Sequence, residues 1–203
     1  DATGIGEVAR NLGLETLDFG REGTIERTVR GNTYYLAREA LECDLLINLS
    51  KFKTHMLTTF TGAVKNLYGC LSGFQKGNWH RKAPNPEQFS QVVVDIFSEL
   101  NPQVNIMDGV LAMEGQGPGN GKPRRLGLIL ASDNAPALDM TAAKIMGLAP
   151  EDVLTNRFAR LRGYSEGWKA VELSGAPIEE VSPDDFALPG RTYCGIIPKA
   201  AHR

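Results

Sequence analysis

Acidic residues are missing from one long stretch of this chain: between Asp44 and Glu87 there is neither Asp nor Glu. Cysteine is scarce too, with 3 in 203 residues, at Cys43, Cys70 and Cys194. So few, so widely spaced and odd in number, they exclude a disulfide framework or a paired-cysteine metal knuckle and point to a reducing compartment. Long apolar runs are lacking as well. The longest, such as Leu126–Ala131, fall far short of the ~20 residues that cross a bilayer. No basic-then-apolar leader opens the chain, and Asp1 stands where a Met is usual, so the sequence reads as a piece of a longer, cytoplasmic protein with no membrane partner. A strong net charge is missing; at −2 the balance argues against nucleic acid as a partner.

What is present is ordinary in bulk, 42% hydrophobic and 23% charged, a composition that buries a core without staples. The distribution of charge is not ordinary. The acid-free stretch carries Lys51, Lys53, Lys65, Lys76, Arg81, Lys82, His55 and His80, while acids crowd the last third from Glu151 to Asp185. A solvated surface intersperses its signs, so a long basic segment points to an anionic ligand or to an acidic docking partner.

Periodicity predicts an α/β domain. Gly6–Leu12 reads as helix, Glu15–Phe19 and Ile25–Val29 as strands, and Tyr34–Leu41 as helix. Leu45–Leu49, Val104–Asp108 and Leu126–Ala131 read as buried strands. Asn85-Pro86 opens a helix that ends at Asn101-Pro102, a second runs from Asp133-Asn-Ala-Pro136 to Gly147 with Asp133 as its cap, and a third covers Pro150–Leu161. Alternating strands and helices predict a single domain over 1–203, with a mostly buried, parallel or mixed sheet flanked by helices and an irregular tail over 174–203.

Candidate chemistry gathers after the Leu45–Leu49 run. Lys53 and His55 alternate about Thr54 and face one side if extended. Thr61 is placed to cap a short helix carrying Lys65 and Asn66, and a strand end beside a helix start is a natural seat for an anion. A histidine there exchanges protons near neutral pH. A glycine-rich loop follows the Val104 strand, with Gly115 and Gly117 free to approach a ligand and with Asp108 and Glu114 as acid, base or hard-metal ligands. Asp139 sits in the first turn of the next helix, where the dipole favours it.

These residues together resemble a known family. Asp44–His55, Thr61-Gly-Ala-Val-Lys-Asn-Leu-Tyr-Gly69, Asp108-Gly-Val, Met113–Pro118, Ala131–Asp139 and Ile145-Met-Gly147 look like the DUF362 family, a domain of unknown function, in that family's order from about Gly4 to Leu148. The resemblance implies a bacterial or archaeal protein, and members often carry a Cys-rich ferredoxin module after this domain. The family's upstream portion has no counterpart before Asp1, and no CxxCxxC run follows Leu148, so an iron–sulfur cluster is not supported by the cysteines of this chain. Carried over by motif are Lys53, His55, Lys65, Asn66, Asp108, Glu114 and Asp139. The expectation is an enzyme or redox-associated protein in which Lys53 and Lys65, with Thr61, Asn66, Gly115, Gly117 and Asp139, hold a phosphate- or carboxylate-bearing ligand. Catalysis would fall to His55, Lys53 and Asp108, with Glu114 as a metal ligand. The alternative is a non-catalytic module docking on an acidic partner such as a ferredoxin domain.

Overall fold

Residues 4–190 are described by a computed structural model of the chain. Cys194 and the end of the expected 174–203 tail lie outside them.

Helix α1 (Ile5–Asn11) forms where its spacing predicts it, but Glu15–Phe19 is not a strand and runs as irregular backbone into a turn. Strands β1 (Thr24–Val29) and β2 (Asn32–Ala37) make an antiparallel hairpin closed by Arg30 and Gly31, with φ of 52° and 81°. Two central residues at positive φ match the strand twist of a tight hairpin. This overturns the helix expected over Tyr34–Leu41. Tyr34 and Leu36 are buried while Tyr35 is exposed, the alternation of a strand, and helix α2 (Arg38–Glu42) takes only what remains.

The main sheet is mixed. Strand β3 (Ile47–His55) lies between β4 (Thr59–Thr61) and β5 (Val104–Gln116), and β6 (Asn120–Arg124) continues the order beyond β5. Strand β7 (Leu128–Ser132) pairs with the first half of β5. Strands β3 and β5 are parallel and all other pairs antiparallel. The crossover between the parallel pair holds α3 (Ala63–Asn66), a 3-10 turn (Leu67–Cys70), α4 (Gly73–Lys82) and α5 (Pro86–Leu100). Helix α5 starts as expected, with the Asn85 side chain accepting from the Gln88 N–H at 2.9 Å. In α6 (Ala135–Ile145) the cap is Asn134, which accepts from the Ala137 N–H at 2.8 Å, rather than Asp133. The helix expected over Pro150–Leu161 is a 3-10 turn (Pro150–Asp152) followed by α7 (Leu154–Leu161). A 3-10 turn (Trp168–Ala170) and α8 (Ile178–Val181), a short helix within the tail expected to be irregular, complete the described elements.

One continuous core joins Phe52, Phe60 and Met107 of the sheet to Phe89, Val93 and Ile96 of α5 and to Ala142 and Ile145 of α6. Inside it, Asp95 accepts hydrogen bonds from Tyr34 at 2.5 Å and Arg162 at 2.6 Å, tying β2, α5 and the end of α7 together. The helices cover only one face of the sheet. On the other, the register sets Ile47 beside Val104, Leu49 beside Ile106, and Ile106 in turn beside Ala131. Leu45, Ile47, Leu49 and Ile129 are exposed, Leu49 and Ile129 at 68% each. The Leu45–Leu49 run therefore alternates instead of lying buried on both sides, although a parallel pair is ordinarily covered on both faces.

The glycine-rich segment after Val104 is not a free loop. It is the long β5–β6 hairpin, with Glu114 opposite Lys122 and Gln116 opposite Asn120.

Candidate functional site

Strand β3 does not end at Leu49; it runs on through the basic motif, so Lys53 and His55 belong to the strand itself. Alternation places them on the same side, and Thr61 of β4 stands directly opposite Lys53. The Thr61 hydroxyl is buried and has no hydrogen-bond partner among the described residues. From Thr61 the chain turns through Gly62 into α3, which carries Lys65.

Helix α3 is held by buried polar groups. The carboxylate of Asp139, on α6, accepts the N–H groups of Ala63 at 2.6 Å and Val64 at 3.1 Å. It therefore caps another helix instead of its own, and it takes the role expected of Thr61. Asp139 is buried and does not line a cleft, and the first amides of α3 are not open to an anion. Asn66 donates to Asn48 at 2.8 Å and to the Leu49 carbonyl at 3.0 Å, so its amide serves the framework. Asn48 in turn donates to the Ala63 carbonyl and to Asn105, each at 2.9 Å.

Lys65, next to Asn66, points its ammonium toward the rings of Tyr68 and Phe89, 5.7 and 5.9 Å from their centroids. His80 of α4 stacks on the same Phe89 at 4.4 Å and meets Tyr68 edge-on at 5.6 Å. His80 thus joins the site, which sequence reasoning missed because it lies in another element. The signal available was its place in the acid-free stretch.

Electrostatics bind these groups into one cluster. Burial, chiefly, and then the neighbouring Lys65, His80 and Lys53 push the His55 pKa down to about 3. Burial and then Lys53 bring Lys65 down to about 8. His80 is lowered by burial and by Lys65. Each charge in the cluster raises the cost of the next. Among the described residues no carboxylate pairs with Lys53, His55, Lys65 or His80. The ring of His55 is also fixed: its Nδ1 accepts the N–H of Leu57 at 3.1 Å and of Thr58 at 3.4 Å. The ring proton is accordingly on Nε2. His55 is a neutral hydrogen-bond donor at physiological pH, which replaces the expected proton exchange near neutrality.

The acids expected in the cleft lie elsewhere. Asp108 accepts from Lys51 at 2.6 Å, two residues and about 7 Å along the strand from Lys53, so its carboxylate is engaged by Lys51 and not by Lys53 or His55. Glu114 accepts the Ala187 N–H at 3.1 Å and lies 3.7 Å from Arg124, while Met113 is the residue in register with Lys53. No group of three or more His, Cys, Asp or Glu among the described residues is arranged to hold a metal, so Glu114 belongs to no such group. Gly115 donates its N–H to the Ala187 carbonyl. Gly117 bonds through its carbonyl to the Met56 N–H at 2.9 Å, so the hairpin tip braces the end of β3 instead of opening toward a ligand. A side chain at Gly117 would collide with the Thr54 backbone, 2.7 Å from its carbonyl carbon, and glycine is required there.

A groove of about 840 Å³ lies between β7, α6 and residues 163–178. Its charged lining residues, Asp133, Glu166 and Glu172, are acidic and it contains none of the basic cluster. The groove and the basic cluster are therefore separate places in the molecule.

A mixed sheet with helices on one face, and at its edge a basic cluster with no paired carboxylate among the described residues, defines an α/β protein. The chain belongs to the family described as "Domain of unknown function (DUF362)", whose model matches residues 1–144. It is 39% identical over 159 residues to the "Thylakoid-associated protein sll1697" of Synechocystis sp. (strain ATCC 27184 / PCC 6803 / Kazusa), covering 78% of this chain and 50% of that protein. The chain thus spans about half the length of the curated relative it matches. No solved structure matches it. No helix among the described residues is long and apolar enough to cross a membrane.

Proposed function

We propose that the protein binds a small anionic molecule, one bearing phosphate or carboxylate, at Lys53, His55, Lys65 and His80. The observation that carries this reading is a crowd of basic side chains with no paired carboxylate among the described residues. An anion relieves that mutual repulsion, and its charged hydrogen bonds are stronger than neutral ones. Lys53 and Lys65 supply charge, the Nε2–H of His55 and the Thr61 hydroxyl supply directional contacts, and the Phe89 and Tyr68 rings keep one side dry. A cytoplasmic setting belongs to the same proposal. Docking of an acidic protein, such as a ferredoxin domain, is the competing use of a basic patch, and an exposed His80 favours it.

Calorimetric titration with inorganic phosphate and with citrate tests the reading. Saturable binding that weakens with salt, and that Lys53→Ala weakens by about 1–3 kcal/mol, supports it. Absence of binding to either anion at low salt, or binding indifferent to Lys53→Ala and His80→Ala together, sinks it.

A further inference from the structure

Lys65 is held more firmly than a surface lysine on a four-residue helix requires. The two residues before it donate their amides to the buried Asp139, and the residue after it is pinned to Asn48 and to the Leu49 carbonyl. Asn48 closes the frame through the Ala63 carbonyl and Asn105. Such a supporting set of buried polar groups fixes where the lysine stem leaves the backbone. At the far end of that stem the amine has aromatic faces beside it, a second lysine and two histidines near it, and no ion pair among the described residues. A lysine desolvated by apolar walls and flanked by another cation is the arrangement that yields a nucleophilic amine.

We propose that Lys65 forms an imine with an aldehyde or ketone that also carries an anionic group. This rests on the anion-binding reading: Lys53 and His80 hold the carboxylate or phosphate, which brings the carbonyl carbon of the same molecule to Lys65. The neutral Lys65 nitrogen adds its lone pair to the carbonyl carbon and gives a carbinolamine. The former carbonyl oxygen then leaves as water with the two hydrogens of the amine, and a carbon–nitrogen double bond remains. The Nε2–H of His55 stands ready to hydrogen-bond that oxygen as negative charge grows on it. No oxidant or reductant takes part. The lowered basicity of Lys65 makes the free amine available near neutral pH, where an ordinary lysine is almost wholly protonated.

The test is reductive trapping on the intact chain, with glyoxylate as the probe and cyanoborohydride as the hydride donor, followed by peptide mass spectrometry. The expected result is labelling of Lys65 at least about tenfold faster than of the exposed Lys122 and Lys169, slowed by added inorganic phosphate. Lys65→Arg keeps the charge; it should abolish the fast label and leave the circular dichroism unchanged. Label spread evenly over the lysines, or a fast label that survives Lys65→Arg, overturns the proposal. Phosphate binding without preferential Lys65 labelling overturns the imine alone. Loss of phosphate binding in the unmodified protein overturns the anion reading, whatever the label does.

Discussion

Asp139 lies against the α-carbon of Gly62 so closely that a Cβ at that glycine would overlap its carboxyl group and the ring of Phe60. The backbone of Gly62, at φ −121°, is open to any residue, so glycine is there for space alone. Through this contact α6 reaches the start of α3 and sets the position of Lys65.

Gly62→Ala should therefore cost about 2 kcal/mol or more, since neither a buried carboxyl group nor a core phenylalanine gives way freely. Chemical denaturation measures it. In an Asp139→Ala background the same substitution should cost distinctly less, because the two residues share one space. Additive losses would show that the overlap is not what matters.

Asp139 and His55 should pull the pH dependence of stability in opposite directions. Burial raises the Asp139 pKa from 3.8 to about 7, against the two amides that favour its carboxylate. Between those values the folded state binds more protons than the unfolded, so this group's contribution falls as pH rises from about 4 to 7. His55 is lowered from 6.5 to about 3, so between those values the unfolded state binds more protons and stability falls on acidification. Each slope is at most about 1.4 kcal/mol per pH unit. Urea midpoints from pH 4 to 7 should slope downward with pH in His55→Gln and upward in Asp139→Asn, with the unsubstituted protein between them. Parallel curves for all three would refute the assignment.

The ring of His55 should show no titration in NMR between pH 5 and 8. A midpoint near 6.5 would mean that burial and its cationic neighbours do not act on it as the geometry requires.

Lys53→Ala should leave thermal stability nearly unchanged, as Lys53 has no ion pair among the described residues, while lowering phosphate affinity. A variant that unfolds with its affinity intact would make Lys53 a structural residue.

The bare sheet face should make the chain associate with itself. Leu49 and Ile129 are each 68% exposed on adjoining rows, and contiguous apolar patches are where soluble proteins meet other surfaces. Leu49→Lys, alone or with Ile129→Lys, should reduce association in sedimentation runs without altering the melting temperature. Unchanged association would place the contact elsewhere, and a lower melting temperature would mean that this face already packs within the chain.

Much of the fold is legible in the sequence because local rules decide it. Asn85-Pro86 and the apolar stripe of α5 mark a helix whatever surrounds it, and the Lys53–Thr54–His55 alternation holds once the segment is extended. Tyr34–Leu41 misled because a short apolar pattern fits both periods, and the tight turn at Arg30-Gly31 settled it as a strand. The glycine-rich stretch misled in the other direction. Glycines that look like a flexible loop are there because Gly117 packs on Thr54 and Gly121 on Met113.

The sequence by itself determined the α/β class, the family, and the acid-free segment that makes one edge of the sheet basic, since composition and periodicity act over neighbouring residues. Only the tertiary structure decided which charges meet. It brought His80 to Lys65 across Phe89, sent Asp139 to the backbone of α3, and left Asp108 with Lys51 and Glu114 with Arg124. Electrostatic and steric contacts act over a few ångströms in space, and no spacing along the chain encodes them.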